Sequence, residues 1–433
     1  MAQGTGHALD EPNSAVGNGA GTRSVTRRAE SRDGFRNASP RTSGASGMDA
    51  GKVRANASYA LGQDEPRRRA WLALLHAPAL GPRAFARLWA ALPDPVAILA
   101  ASPARWRAAG LGEATCDALR QPDEARIAAA LAWLAEPGHH LVTLDDPRYP
   151  PALHDLDDPP PALFALGDPD LLHLPMLTIV GTRHPTPGGA INTHAFARDL
   201  AGRGLTIASG LAQGIDAEAH SGALEANGLT LAAVGTGVDR VYPAQHRELA
   251  HAIVDGGGLI ISELPLGTPA RPGHFPRRNR ILAALGLGTL VVEAAPRSGS
   301  LITARLASEL GREVFAIPGS IHNPMARGCH ALIRSGAKLV ESSADILEEL
   351  APRLGQLAPP AAAPCPAGEL PALPDDHARL LEAMGFDAVS VDSLVERSGL
   401  TAAEVSSILL ILQLQGLIAP ATGGLYVRLP PTS

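Results

Sequence analysis

Four apolar runs, each leading into a glycine-rich turn, organise the middle of the chain: MLTIVGTR at 176–183, LTIASGLAQGID at 205–216, LTLAAVGTGVD at 229–239 and TLVVEAAPRSGSLITA at 289–304. A short continuous apolar run bounded by turn residues is the pattern of a strand buried on both faces, as in a parallel sheet with helices on each side. The runs predict an α/β domain over residues 141–350, with each strand delivering its glycine turn to one edge of the sheet. Over residues 65–137 the period changes: Trp71, Leu74, Leu75, Phe85, Leu88 and Trp89 fall at helical spacings, and Gly or Pro marks the breaks. A small all-helical domain is expected there.

The flanking segments differ in kind. Residues 1–60 are rich in Gly, Ser, Ala, Asn and Arg with almost no apolar periodicity, so they cannot bury enough surface to offset the entropy of ordering, and a disordered tail is expected. Met48 offers a second translation start within it. Residues 141–168 are dense in Pro and Asp and predict an extended lead-in to the sheet, while the Ala/Pro-rich residues 352–374 predict a semi-extended linker. Residues 375–430 then read as a helix from His377 to Met384, a helix from Val391 to Ser398, a helix from Thr401 to Gln415 and a short hairpin, the order of a winged-helix module. Thr401 with Glu404 has capping-box spacing. The third helix carries Glu404 as its one charge, and Ile408, Leu409, Ile411, Leu412 and Leu414 predict packing or protein contact rather than base reading. In the N-terminal helical domain, LGPRAFARL at 80–88 and LGEATCDAL at 111–119 each set a Leu-Gly turn before a helix, as helix-hairpin-helix and SAM-like modules do. Plain helix packing accounts for the same residues, since glycine is common at helix ends.

A chain of 433 residues has room for two or three domains. Its formal net charge of −6 excludes a protein basic overall, so a nucleic-acid partner has to be met by a local patch. Cys116, Cys329 and Cys365 lie far apart without a CxxC pair, which excludes a disulfide framework and a cysteine-rich zinc site and fits a reducing compartment. With no apolar run near the roughly 18 residues that span a bilayer, a cytoplasmic protein without membrane attachment is expected. Aromatic residues make up 3% of the chain, too few to predict a base-stacking platform, so binding is expected to be electrostatic and independent of base sequence.

Glycine turns between strand and helix let backbone N–H groups approach an anion at the positive end of the helix dipole. In an open α/β sheet these turns converge beyond the carboxyl ends of the strands, which gathers Gly181, Thr182 and Arg183, Ser209 and Gly210, Gly235 to Gly237, and Ser298, Gly299 and Ser300. Neither GxGxxG nor GxxxxGK[ST] occurs, so dinucleotide and Walker-type nucleotide sites lose their warrant. Arginines supply the charge instead: Arg271, Arg277, Arg278 and Arg280 in RPGHFPRRNR, with Arg183 and Arg297 in the turns. The planar guanidinium suits phosphate through bidentate, charge-assisted hydrogen bonds, and arginines spread over separate loops suit a chain of phosphates better than one. Asp216 and His220, four apart at a helix start, suit capping and packing better than proton transfer. Glu263 and Glu293 end apparent strands and serve either to orient arginines or, in an alternative enzyme reading, as the acid of a Rossmann-type nucleotide (N-glycosidic) hydrolase. That class normally shows a PGGxGT turn, absent here.

The order VGTR at 180–183, SGLAQGIDAEAH at 209–220, VYP at 241–243, SELPLG at 262–267, FPRRNRI at 275–281, EAAPRSGSLITA at 293–304, IPGS at 317–320 and GCHALIRSGA at 328–337 resembles the DNA processing protein A (DprA/Smf) family, over roughly residues 65–350. The resemblance implies an extended Rossmann-like domain between the N-terminal helices and the C-terminal winged helix. It further implies a homodimer that binds single-stranded DNA and hands it to the RecA recombinase, notably in natural transformation, with no catalytic residue, metal or cofactor. By motif, Gly181, Thr182, Arg183, Arg277, Arg278, Asn279, Arg280 and the Ser298 to Ser300 turn are implied to grip phosphate. Ala244 and Gln245 stand where relatives can carry a basic residue, which leaves Arg240 or Arg247 to supply that charge.

Overall fold

The computed structural model describes residues 65–355, 373–421 and 423–429. The tail expected over 1–60 lies outside the described residues, as does the linker expected over 352–374 except for its ends. Six helices come first: α1 (Glu65–His76), α2 (Pro82–Ala91), α3 (Pro95–Ala100), α4 (Pro103–Ala108), α5 (Glu113–Arg120) and α6 (Glu124–Leu134). Proline opens α2, α3 and α4, where its missing N–H costs nothing, and Asp94 and Asp123 cap α3 and α6. The rings of Trp71, Phe85 and Trp89 lie 5.1 to 5.6 Å apart and close this core with buried Leu74, Leu88 and Ile98.

The main domain runs β1 (His139–Thr143), β2 (Ala162–Gly167), β3 (Met176–Val180), α7 (Pro187–Gly202), β4 (Thr206–Ser209), α8 (Ile215–Glu225), β5 (Thr230–Ala233), α9 (Arg247–Asp255), β6 (Leu259–Ser262), α10 (His274–Leu285), β7 (Gly288–Val291), α11 (Gly299–Glu309), β8 (Glu313–Ala316), α12 (Arg327–Arg334), β9 (Lys338–Leu339) and α13 (Ser343–Leu354). The nine strands form one sheet in the order β1-β2-β6-β5-β4-β3-β7-β8-β9, parallel from β6 to β9. The Pro- and Asp-dense lead-in adds its first two strands: β1 pairs with β2, and β2 with β6, both antiparallel.

Alternation along the strands explains why both faces are covered. Leu177, Ile179, Ile207 and Phe315 pack with Leu200 of α7, Ala219 of α8 and Ile346 of α13. Met176, Ala208, Leu231 and Leu259 point the other way, onto Ile281, Leu282 and Leu285 of α10. Val180, Val291 and Ala316 share that second face with Ala304 of α11 and Cys329 of α12.

The C-terminal module contains α14 (Asp375–Met384), β10 (Val389–Ser390), α15 (Val391–Ser398), α16 (Ala402–Leu414), β11 (Ile418–Ala421) and β12 (Leu425–Arg428), with its strands in the order β10-β12-β11. This is a winged helix. Thr401 and Glu404 form the full capping box on α16, and Val405, Ile408, Leu409 and Leu412 turn into the core while Leu410, Ile411 and Leu414 stay exposed.

Candidate nucleic-acid interface

The chain enters the parallel array at its centre. From β3 it steps outward through β4 and β5 to β6, and α10 then carries it back across the sheet to β7, on the other side of β3. The helices after β3 and β7 lie on opposite faces, so the loops leaving these two strands part and open a crevice at the switch point. The crevice is a cleft of about 540 Å³. Its walls come from the Gly181–Arg183 turn after β3, the Ser298–Ser300 turn after β7, and Arg271, Phe275, Arg278 and Asn279 at the start of α10. The N-terminal ends of α8, α10 and α11 all meet here, so three helix dipoles present their positive ends to the cleft.

Arg278 is the floor. Its side chain is buried, the residue being 5% exposed, and Nε and Nη1 find no acceptor among the described residues. Burial pushes the guanidinium pKa down, opposed by the carboxylate of Asp216, whose own pKa burial pushes up. Gly210 makes the space: a Cβ there would lie 1.7 Å from Nη1 of Arg278. Burying a charge without a full set of partners costs on the order of 3–5 kcal/mol, which an arriving anion offsets.

The cleft walls are braced by hydrogen bonds. Glu293 accepts from the backbone N (2.9 Å) and Oγ1 (2.6 Å) of Thr186, which also caps α7, so the loop after β7 holds the loop after β3. Asn279 Nδ2 donates to the carbonyl of Gly299 at 3.3 Å and ties α10 to the start of α11, where the hydroxyls of Ser298 and Ser300 touch.

The arginines named from the sequence separate by role. Arg183, Arg271 and Arg278 line the cleft. Arg277 and Arg280 do not: both donate to Glu263, at 2.9 and 2.6 Å, and Arg280 also approaches Asp158 at 3.4 Å. These two fix α10 against the end of β6. Arg240, Arg247 and Arg297 are exposed and outside the cleft lining. Ser209 is fully buried, donating its hydroxyl to the carbonyl of Ile179, and Gly210 lines a smaller pocket adjoining the cleft.

Asp216 and His220 do not act as a pair. Asp216 accepts from the backbone N of Ala212 at 3.3 Å, whereas the His220 ring bonds Thr230 Oγ1 at 2.7 Å and burial holds its pKa down at about 3. Glu263 orients Arg277 and Arg280; Glu293 holds Thr186 rather than an arginine.

Sequence reasoning missed the aromatics. Tyr242 and Phe275 line both pockets with ring centroids 5.6 Å apart, and the Arg183 guanidinium lies 5.6 Å from the Phe275 centroid. A 3% aromatic content hid a pair that the fold concentrates at one place, and Tyr242 is 47% exposed. Among the described residues no helix is long and apolar enough to cross a membrane, and no group of His, Cys, Asp and Glu is placed to hold a metal ion.

Residues 140–351 match the family described as DNA recombination-mediator protein A, and residues 359–424 match the DprA winged helix domain. Protein Smf of Escherichia coli (strain K12) is 46% identical over 308 residues, spanning 70% of this chain and 81% of that protein. DNA processing protein DprA of Streptococcus pneumoniae is 46% identical over 196 residues, spanning 45% of this chain and 68% of its own length. The X-ray structure of DNA processing protein A from Streptococcus pneumoniae superposes with a TM-score of 0.57 at 34% identity, over 65% of this chain and 97% of that one. Strand order, the VGTR turn and the FPRRNRI start of α10 at one cleft, and these likenesses together place the chain in the DNA processing protein A (DprA/Smf) family.

Proposed function

We propose that this protein binds single-stranded DNA along the cleft between β3 and β7, shields the strand, and loads the RecA recombinase onto it in the cytoplasm during recombination and natural transformation. The observation that carries the DNA reading is the buried Arg278 guanidinium, two of whose donor nitrogens have no partner, in the lining of a cleft that Arg183 and Arg271 also line. Three cations, on the turn after β3, on the segment before α10 and on α10 itself, suit successive phosphates of one strand. Tyr242 and Phe275 favour a single strand over a duplex, because only unpaired bases can splay out and stack on aromatic rings. The RecA and homodimer parts rest on family membership.

The hydrolase reading needs a free carboxylate at the cleft. Glu263 and Glu293, the acids that reading would use, are spent on Arg277 and Arg280, and on Thr186, so neither is free to supply it. The deciding experiment titrates the protein into a fluorescent single-stranded oligonucleotide at several salt concentrations, with duplex and mononucleotide competitors. Steeply salt-dependent binding that duplex competes poorly is expected. Binding of a mononucleotide with indifference to the oligonucleotide would overturn the proposal.

A further inference from the structure

The cleft between β3 and β7 has an open mouth and a closed inner end. Arg183 and Arg271 line it and are exposed, whereas Val180, Leu282 and Thr303 line it and are yet buried, Thr303 completely. Buried residues border a cavity where it runs into the body of the domain, here against the end of β3, the middle of α10 and the second turn of α11. A strand crossing a groove needs an exit at each side. A closed end is reached by a strand's terminus or by a base turned out of the strand.

The inner end offers hydrogen-bond donors in excess. Nε and Nη1 of Arg278 and Oγ1 of Thr303 are buried without a partner among the described residues. One turn before Thr303 the hydroxyls of Ser300 and Ser298 touch, and because a bond between two hydroxyls uses one proton, the other proton is left to give. Ser298 stands at the cap position of α11 without bonding its first turn, so the leading N–H groups of that helix keep no side-chain acceptor; α7, outside the lining, is capped by Thr186. Three guanidiniums line the cleft against one carboxylate, Asp216, which already accepts from the backbone N of Ala212. A base edge carries donors as well as acceptors, and its donors would meet a site that is itself mostly donors. A phosphodiester brings a single charge, whereas a terminal phosphate monoester brings a charge of about −1.5 to −2 and three acceptor oxygens. We propose that the closed end of the cleft seats the terminal phosphate monoester of a single strand, with Arg278 and Thr303 turning their unpaired donors onto it beside the first turn of α11, and the following phosphodiesters running out past Arg183 and Arg271. The inference rests on the reading of the cleft as a single-strand site.

Anisotropy titrations of the full chain test it with one oligonucleotide in four forms: unphosphorylated, 5′-phosphorylated, 3′-phosphorylated, and unphosphorylated but one nucleotide longer, which adds a phosphodiester in place of a monoester. One phosphorylated form should bind about tenfold tighter than the unphosphorylated strand, the worth of a charge-assisted hydrogen bond, and the longer strand about twofold tighter at most. Thymidine monophosphate carries the same monoester without the strand and should displace the phosphorylated form at far higher concentration; displacement at equal concentration would assign the seat to a free nucleotide and overturn the proposal. Thr303→Val exchanges an unpaired buried hydroxyl for a methyl group of the same shape, which leaves the fold without a new unmet polar group, and should pull the ratio of phosphorylated to unphosphorylated affinity toward one. An undiminished ratio in that variant would place the monoester elsewhere. Four forms binding alike would sink the seat while leaving the single-strand reading standing, whereas failure of all four to bind would remove both.

Discussion

Arg278 is expensive to bury, and Gly210 is what makes its position sterically possible, because a methyl group there would overlap Nη1 at 1.7 Å. The two residues therefore stand or fall together. Arg278→Ala should weaken single-strand binding by about 2 kcal/mol, roughly 30-fold, the worth of a charge-assisted hydrogen bond. Gly210→Ala should cost a similar factor although residue 210 contributes no charge; wild-type anisotropy titrations of Gly210→Ala would show that Arg278 does not act from this position. The sequence marked Arg277, Arg278 and Arg280 as equals. What separates them is the pairing of two with Glu263, and of one with Asp158, more than a hundred residues upstream, which no local pattern reveals. His220 gives a prediction of a different kind. Its folded pKa of about 3 lies below its ordinary 6.5, so between these values the unfolded chain binds a proton that the folded chain refuses. Stability is thus complete above pH 6.5 and is lost as pH falls toward 3, by about 1.4 kcal/mol per unit. His220→Gln, which keeps a partner for Thr230, should flatten the fall of the urea midpoint between pH 6.5 and 4 relative to the parent. Asp216, with its carboxyl pKa raised by burial, acts with opposite sign in both proteins and drops out of the difference.

At the scale of elements, α10 decides the site. It crosses the sheet, supplies Phe275, Arg278 and Asn279 from its first turns, and is fastened at that end by Glu263 and further along by the Thr178 hydroxyl, which donates to the Leu282 carbonyl at 2.8 Å. Glu263→Gln should lower stability by about 1.5–3 kcal/mol, the worth of a charged hydrogen bond, because the buried Arg280 then keeps only Asp158, at 3.4 Å, as a carboxylate partner. Urea denaturation measures this directly. A catalytic carboxylate would behave otherwise, its loss leaving stability intact. The strands after which the glycine turns come were legible, since each is a long apolar run with a turn behind it. β6 was marked only by Glu263 at its end, and β8 and β9 were not marked: β8 opens on Glu313 directly behind Arg312, and β9 is two residues that open on Lys338, so neither makes an apolar run leading into a glycine turn. β1 and β2 hid in a Pro- and Asp-dense segment, where the prolines occupy the connection between the strands. The winged-helix elements were read closely because caps and glycines punctuate them, Thr401 and Glu404 at one end of α16 and Gly416 after the other.

For the whole molecule the question is how a chain with a net charge of −6 would bind a polyanion, as proposed. The answer is separation. The acidic C-terminal module and the cleft are different parts of the chain, and in the proposed binding mode Arg183, Arg271 and Arg278 meet the phosphates where three helix N-termini add to their field. This locates the salt dependence. For a single strand the slope of log K against log salt is about −0.7 per phosphate neutralised. If the three cleft arginines carry the contact, Arg183→Ala combined with Arg278→Ala should flatten that slope by about 1.4, the two phosphates lost. A chain ending at Gly355 should keep the wild-type slope, since the arginines removed with the module lie outside the cleft. A slope unchanged in the double variant but lost on truncation would move the DNA site to the C-terminal module, against its excess of carboxylates.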